Sequence, residues 1–471
     1  MDKSSKEDLA LIQKIIEILN RYGGRYSQLS QGGYSKYLPY FAYNTHSDEQ
    51  KLIKAMFADF LKEILGFPVD AFIPEDTDVV GERPDFLPIH RRLHPFVFEV
   101  KGSDERELGR HFKQLSDYVG AYSVKWGVLT NMRELKVYDP PLQTPIPDYS
   151  FSFAALYKHY QDHKDRPLDV LEFPNTKHFL DFCERFKYRE ASQEDKIQAI
   201  REAKNWTDSE TLDIVQLDRT IHRVTGRLID DARDQKAHLP ELLALQKTRP
   251  KKIATELEEI ACQLDARREF QLPDDRTLKK FIHAGEGTPE SKAFAVYLAR
   301  VAYFAMTRIL LARVWEDVRL IDQSLYDGGF DRWYENFNRK IREVLNNAFR
   351  LAAEHYPWLY HARCNYEWFR PSEEAIIDAL YEFSEFNLGK LDTDVLGTVY
   401  ERYVEDRFER KQKGLFYTPR EIIRFIWDRV GFTSDEAFFR FEEGRREPRY
   451  IFDPATGSGG FLVEAARRVI E

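Results

Sequence analysis

Cysteine is scarce in this chain. There are three in 471 residues, Cys183, Cys262 and Cys364, with no Cys-x-x-Cys spacing. That excludes a disulfide framework and a thiolate zinc site and points to a reducing compartment. The opening residues lack the charged-then-apolar order of a secretion signal, and no run of about eighteen apolar residues occurs. The expectation is therefore a cytoplasmic protein with no membrane partner. No G-x-x-x-x-G-K-[ST] loop occurs, so no ATP-driven motor is expected, and no G-x-G-x-x-G loop stands where a dinucleotide site needs one. An excess of basic residues is also missing: 70 Lys and Arg face 79 Asp and Glu, for a net charge of −9. A uniformly basic nucleic-acid binder is excluded. Local patches are not, and Arg106, Arg110 and Lys113, or Lys247, Arg249, Lys251 and Lys252, are candidates that otherwise read as solvated helix faces.

A hydrophobic fraction of 43% and a charged fraction of 32% are those of soluble globular proteins, and the length suits roughly two to four domains. Near the C-terminal end stands Asp453-Pro454-Ala455-Thr456-Gly457-Ser458-Gly459-Gly460-Phe461. Arg449-Tyr450-Ile451-Phe452 ahead of it reads as a short buried strand, and residues 461–470 carry apolar side chains at helical spacing. In a strand, glycine turn and helix of this kind, glycines free the backbone to adopt positive φ. Bare N–H groups then reach a ligand at the positive end of the helix. Upstream, Gly414-Leu415-Phe416-Tyr417-Thr418-Pro419 precedes an apolar-periodic stretch. There Thr418 is placed to cap a helix, Pro419 to begin it and Glu421 to sit third.

The glycine segment closely resembles the first S-adenosylmethionine motif of DNA N6-adenine methyltransferases. Phe416 to Pro419 resemble the element that in this family helps hold the methionine end of the cofactor, and Asp394 to Glu401 resemble the helix leading into it. The resemblance implies a Rossmann-like domain in which Phe416, Tyr417, Thr418, Pro419, Asp453, Pro454, Ala455, Gly457 and Gly459 contact S-adenosylmethionine. The family grips a flipped base with an Asn/Asp-Pro-Pro-Tyr/Phe element beyond the glycine loop. None follows here. Asp139-Pro140-Pro141-Leu142 lies upstream and lacks the aromatic residue, so it reads as a turn ending the strand-like Leu135-Lys136-Val137-Tyr138. Residues 1–471 alone are thus expected not to methylate DNA and to bind S-adenosylmethionine at about millimolar strength or weaker.

The N-terminal region carries a second constellation. Pro84-Asp85 is followed by Phe98-Glu99-Val100-Lys101, within a stretch whose alternation suits a strand and points Glu99 and Lys101 to one face. Asp85 and Glu99 offer the hard oxygen ligands that Mg²⁺ prefers, and Lys101 a cation for an attacking water or a charged phosphate. Read alone, the triplet is better explained as a chance cross-strand or surface pair. Its surroundings make it resemble the PD-(D/E)xK nuclease superfamily. A helix from about His46 to Leu65 places Glu49 where that superfamily often has an acidic residue, with Glu63 the weaker choice. Gln114 and Tyr118 lie one helical turn apart, as in the Gln-x-x-x-Tyr element of restriction nucleases. Residues 126–131 and 135–138 then read as a hairpin-like pair of strands. The resemblance implies Mg²⁺ at Asp85 and Glu99, with Glu49, Lys101 and Gln114 in the cleavage centre.

Between these regions, residues from about Pro174 to Tyr356 read as successive helices without a fixed-period repeat, the richly apolar 289–320 among them as a buried core helix. His159 and His163 have the i, i+4 spacing of a metal pair but no ligand companion in register, and they read as ordinary helix residues. The expected fold is multidomain α/β: a nuclease domain over 1–155, an all-α connector over 156–385 and the start of a methyltransferase over 386–471. The order resembles single-chain Type IIG and IIL restriction–modification enzymes of phage defence. That implies double-stranded DNA as partner, Mg²⁺-dependent cleavage, and S-adenosylmethionine in the full-length protein. The alternative is a non-catalytic nuclease-like subunit that assembles with a separate chain bearing the remaining methyltransferase and target-recognition parts.

Overall fold

The structure, a computed structural model, describes residues 3–29, 48–73, 83–102, 105, 107–166, 176–203, 214–239, 250–264, 277–360, 366–390, 418, 420–442, 445–454, 456 and 459–470. It divides into two compact units, Met1–Asp195 and Lys196–Glu471.

The first unit is built on a four-stranded sheet of order β1-β2-β3-β4. Strand β1 (Phe96–Val100) runs parallel to β2 (Trp126–Thr130), which pairs antiparallel with β3 (Glu134–Tyr138), and β3 with the short β4 (Phe151–Ser152). Every residue of β1 and β2 is buried, as expected of strands covered on both faces. Alternation divides them. Phe96, Phe98, Val100, Trp126 and Val128 face one core, where helices α1 (Lys3–Leu29), α2 (Asp48–Glu63), α4 (Phe153–Asp162) and α5 (Thr176–Phe186) supply Ile15, Phe57, Phe60, Tyr157, Phe182 and Phe186. Val97 and Leu129 face the other core with Leu115 and Tyr118 of α3 (Phe112–Ala121). Helices α4 and α5 share the first core, so this unit runs past residue 155.

Gly127 sets how closely α3 lies on the sheet. A Cβ at that position would come 2.4 Å from Leu115 Cγ and 2.6 Å from Leu115 Cδ2, far inside contact distance. The expected hairpin of β2 and β3 is present, and its turn is held by Asn131, whose side-chain oxygen accepts from the Arg133 and Glu134 N–H groups. Asp139-Pro140-Pro141-Leu142 is a turn after β3, closed by Leu142 N–H to the Asp139 carbonyl.

His94 lies in the first core among the rings of Phe67, Phe96 and Tyr188, and burial lowers its pKa to about 4. The folded state therefore resists a proton that the unfolded chain accepts near pH 6.5. Stability from this group is complete above pH 6.5 and is lost as pH falls through 4, by up to about 3 kcal/mol. Urea unfolding followed across that window is expected to show the loss in the wild type and a shallower slope in His94→Phe. Equal slopes would remove His94 as the cause.

The second unit is mostly helical. Its centre is α9 (Pro289–Asp317), packed by α6 (Ile214–Asp234), α7 (Pro250–Leu264), α8 (Thr277–Ile282), α11 (Ile341–His355) and α13 (Glu373–Phe383), with α10 (Asp327–Asn336) and α12 (Pro357–Tyr360) alongside α11. Thr288 caps α9 through its hydroxyl, which accepts the Ser291 N–H, and Pro289 occupies its first position. By length and composition alone α9 could cross a membrane, but half of that stretch is buried against its neighbours, as in a core helix. It carries an ionic cluster of Arg313, Glu316 and Asp317 at its C-terminal end.

Residues 418–470 contain α14 (Arg420–Arg429), the antiparallel pair β5 (Phe439–Glu442) and β6 (Arg445–Pro448), and α15 (Gly460–Ile470). Helix α14 ends in a Schellman turn. Gly431, at φ +85°, donates to the Asp428 carbonyl, Phe432 N–H reaches the Trp427 carbonyl, and the Phe432 and Trp427 rings meet.

Candidate functional site

Asp85 is positioned by backbone pairing alongside β1. Phe86 exchanges two hydrogen bonds with Phe98, N–H to O at 3.0 Å and 2.9 Å, which sets Asp85 beside Glu99. The Asp85 Oδ2 atom accepts the Val100 N–H at 2.6 Å, and the Asp85 N–H reaches Glu99 Oε2 at 3.3 Å. Because side chains alternate, Glu99 and Lys101 leave the strand on the face covered by α3, where Lys101 Nζ donates to Glu99 Oε1 at 2.6 Å and to Gln114 Oε1 at 2.9 Å. Gln114 Nε2 in turn donates to the Tyr118 hydroxyl at 2.8 Å, one turn further along α3. Four expected residues, Asp85, Glu99, Lys101 and Gln114, thus meet at the C-terminal end of β1.

Burial pushes the Glu99 carboxyl above its usual range, and the charge of Asp85 adds to that, while the Lys101 ammonium opposes it. Glu49 lies on α2, with its side chain outside the described residues. Glu63 points elsewhere: it holds Arg21 of α1 through contacts of 2.6 and 3.1 Å. Lys54, from the middle of α2, is an additional member that the spacing of acidic residues does not reveal. Its ammonium pairs with Asp85 Oδ1. The only hint in the sequence is a lysine bordering the apolar stripe of Ile53, Met56, Phe57 and Phe60, where a long stem can run along the core and place its charge at the rim.

The donor set fits Mg²⁺ in kind. Two carboxylates on neighbouring segments supply hard oxygens, and Mg²⁺ commonly takes one or two carboxylates with water and substrate phosphate completing its shell. Among the described residues no group of three His, Cys, Asp or Glu side chains is placed to hold a metal ion. His159 and His163 stack at 4.4 Å on α4, and His163 Nδ1 bonds the His159 carbonyl.

At the C-terminal end two segments distant in sequence come together. Gly460, at the start of α15, lies so near α14 that a Cβ there would be 2.8 Å from Ile423 Cδ1. Trp427 Nε1 donates to the Phe461 carbonyl, and Arg468 bonds Asp428 and the Phe432 carbonyl. Ile423 in the first turn of α14 meets Gly460 at the start of α15, and Asp428 near its end meets Arg468 near the end of α15, with the long Trp427 side chain reaching Phe461. The helices therefore run in the same direction with their positive ends on one side. Thr418, exposed, precedes α14 at that end, and Asp453 to Gly459 precede α15. In this turn Thr456 Oγ1 donates to the Asp453 carbonyl, Gly459 N–H reaches the Thr456 carbonyl, and Gly459 has φ +87° with nothing within 4 Å of a Cβ placed on it. Pro454 is exposed, while Phe416, Tyr417, Pro419, Ala455 and Gly457 lie outside the described residues.

One expectation fails here. Residues 449–452 do not form a buried strand; they have no regular secondary structure, with Tyr450 95% and Phe452 86% exposed. A strand is stable only beside another strand, and among the described residues none pairs with this segment, whose Arg449 N–H goes instead to the Phe438 carbonyl.

Comparison with known proteins bears on this same end of the chain. Residues 391–471 match the N-6 DNA Methylase family. That stretch includes Thr418, both parallel helices and the glycine turn. A curated relative, the Type I restriction enzyme MjaIX methylase subunit of Methanocaldococcus jannaschii, is 29% identical over 177 residues, covering 33% of this chain and 27% of the relative. The match thus spans about a quarter of that protein's length. No solved structure matches significantly. The C-terminal end is thus similar in sequence to N-6 DNA methylases, a family whose chemistry implies use of S-adenosylmethionine. Gly459, which no described residue crowds, stands at the start of α15 beside the start of α14, a position that fits an anionic cofactor end.

Proposed function

We propose that this chain belongs to a restriction–modification protein that couples a Mg²⁺-dependent DNA endonuclease, centred on Asp85, Glu99 and Lys101, to site-specific N6 methylation of adenine in double-stranded DNA. The observation that carries the nuclease half is the meeting of Asp85, Glu99, Lys101 and Gln114 at one strand end, linked by hydrogen bonds of 2.6–3.3 Å. When bound, Mg²⁺ would be held by Asp85 and Glu99, where it supplies an activated water and neutralises phosphate charge. Lys101 is oriented by its bonds to Glu99 and Gln114, so that its ammonium remains directed at the same point. Tyr118 fixes Gln114 and, through it, Lys101. In the methyltransferase half, Thr418, Asp453 and Gly459 would bind the methionine end of S-adenosylmethionine at the shared positive end of α14 and α15.

The direct test is nicking of supercoiled plasmid by the purified chain in Mg²⁺. Conversion to open circles that stops on chelation is the expected result. A folded chain that leaves the plasmid intact in Mg²⁺ and in Mn²⁺ would favour the assembly reading, in which the nuclease-like unit is structural. The relative's description as a methylase subunit gives that second reading its support.

A further inference from the structure

All four carboxylate oxygens of Asp85 and Glu99 already have donors. Asp85 Oδ1 is held by the Lys54 ammonium and Oδ2 by the Val100 N–H; Glu99 Oε1 is held by the Lys101 ammonium and Oε2 by the Asp85 N–H. Among the described residues two carboxylates thus face two ammonium groups, and this set of four is near neutral without any metal. The pairs are well shielded, with side-chain exposures of 26% and 10% for Lys54 and Asp85 and 14% and 6% for Lys101 and Glu99. In such surroundings charges interact far more strongly than in water. A divalent cation entering this cluster would leave it with an excess of two positive charges, an unfavourable state until an anion arrives.

Lys101 and Lys54 differ in how they are held. Lys101 is tied to Gln114 and shares a strand with Glu99, so it stays with its carboxylate. Lys54 comes from a different element, α2, and its long stem allows the ammonium to swing without moving the backbone. We infer that Lys54 is a positioning residue that holds Asp85 closed to metal until a DNA phosphodiester is present, and then transfers its ammonium from Asp85 to that phosphate. Metal binding and DNA binding at this site are then coupled through one side chain, and the coupling is reciprocal. This rests on the nuclease reading, but it concerns order of binding rather than cleavage.

The test uses Mn²⁺ in place of Mg²⁺, because the signal of free Mn²⁺ in electron paramagnetic resonance reports binding directly. Mn²⁺ is titrated into the full chain with and without a short mixed-sequence DNA duplex, with the duplex alone as blank and Asp85→Asn to assign the site. In the wild type, duplex is expected to tighten Mn²⁺ binding by about tenfold or more. Lys54→Met is expected to bind Mn²⁺ at the tighter level without DNA and to gain little from it. Lys54→Arg, which keeps the cation, should retain the DNA-dependent increment. Thermal unfolding of each variant without metal separates these effects from loss of fold. Equal Mn²⁺ affinity of wild type and Lys54→Met without DNA would overturn Lys54's part while leaving the metal site standing. Weaker binding by Lys54→Met would overturn it too. An absence of Mn²⁺ binding in every variant, with DNA or without, would remove the metal site, and the nuclease reading with it.

Discussion

Asp85→Asn is expected to reduce metal-dependent cleavage by about 10²–10³-fold while leaving the fold intact. The two halves of that statement come from the two oxygens of the carboxylate. Oδ2 accepts the Val100 N–H at 2.6 Å, a bond an asparagine oxygen can keep, so the pairing of residue 85 with β1 survives. The other position becomes an amide NH₂, which carries donors and no charge. It cannot bind a metal and it faces the Lys54 ammonium, donor against donor. Initial rates of plasmid nicking in Mg²⁺ for the two proteins, with their thermal unfolding in parallel, make the comparison. A variant that cuts within about threefold of the wild type would take Asp85 out of the cleavage centre, since a lost ligand and a lost charge together act on far more than that scale.

What was legible of this centre was whatever depends on short-range geometry. The two-residue period of a strand puts Glu99 and Lys101 on one face whatever surrounds them, and the helical period does the same for Gln114 and Tyr118. Lys54 was not legible because its partner is 31 positions away and is reached only once α2 lies against β1. Nothing in the spacing of Lys54 and Asp85 encodes that contact. Glu63 illustrates the same limit from the other side: an acidic residue on the right helix, turned toward Arg21 by where α1 packs.

The C-terminal end divides along the same line. Helix α15 and the positive-φ glycine ahead of it follow from local pattern, and both are present. The strand over 449–452 does not follow, because helices satisfy their backbone internally and strands depend on neighbours. The short apolar run of a buried strand is visible in the sequence even where its partner is not. The parallel arrangement of α14 and α15 was also out of reach, since it rests on Ile423 against Gly460 and on Arg468 bonding across to Asp428.

The largest effect on stability is expected in the helical unit, from Arg313→Ala. Arg313 is 1% exposed and Glu316 fully buried, an arrangement costly to desolvate and tolerated only when every charge is matched. Arg313 donates to both oxygens of Asp317, at 3.0 and 3.4 Å, and its guanidinium lies 3.6 Å from the centre of the Tyr326 ring. Asp317 Oδ2 also accepts the Leu388 N–H, while Glu316 accepts the Ser324 N–H and hydroxyl and the Leu325 N–H. One cluster therefore fixes the end of α9, the chain after it and residue 388, three residues ahead of the stretch that matches the methylase family. Burial pushes Glu316 up to about 7, so near neutrality its charge depends on the nearby arginine and on those donors. Removing the guanidinium leaves Asp317 and Glu316 buried without their cation, at a cost of about 3–5 kcal/mol. Guanidinium chloride unfolding of the single variants and of Arg313→Ala with Asp317→Ala measures it, the double variant recovering part of the loss because it removes the stranded carboxylate as well. Additive losses, or a single-variant loss below about 1 kcal/mol, would show that this cluster is solvated after all and does not hold the segment in place.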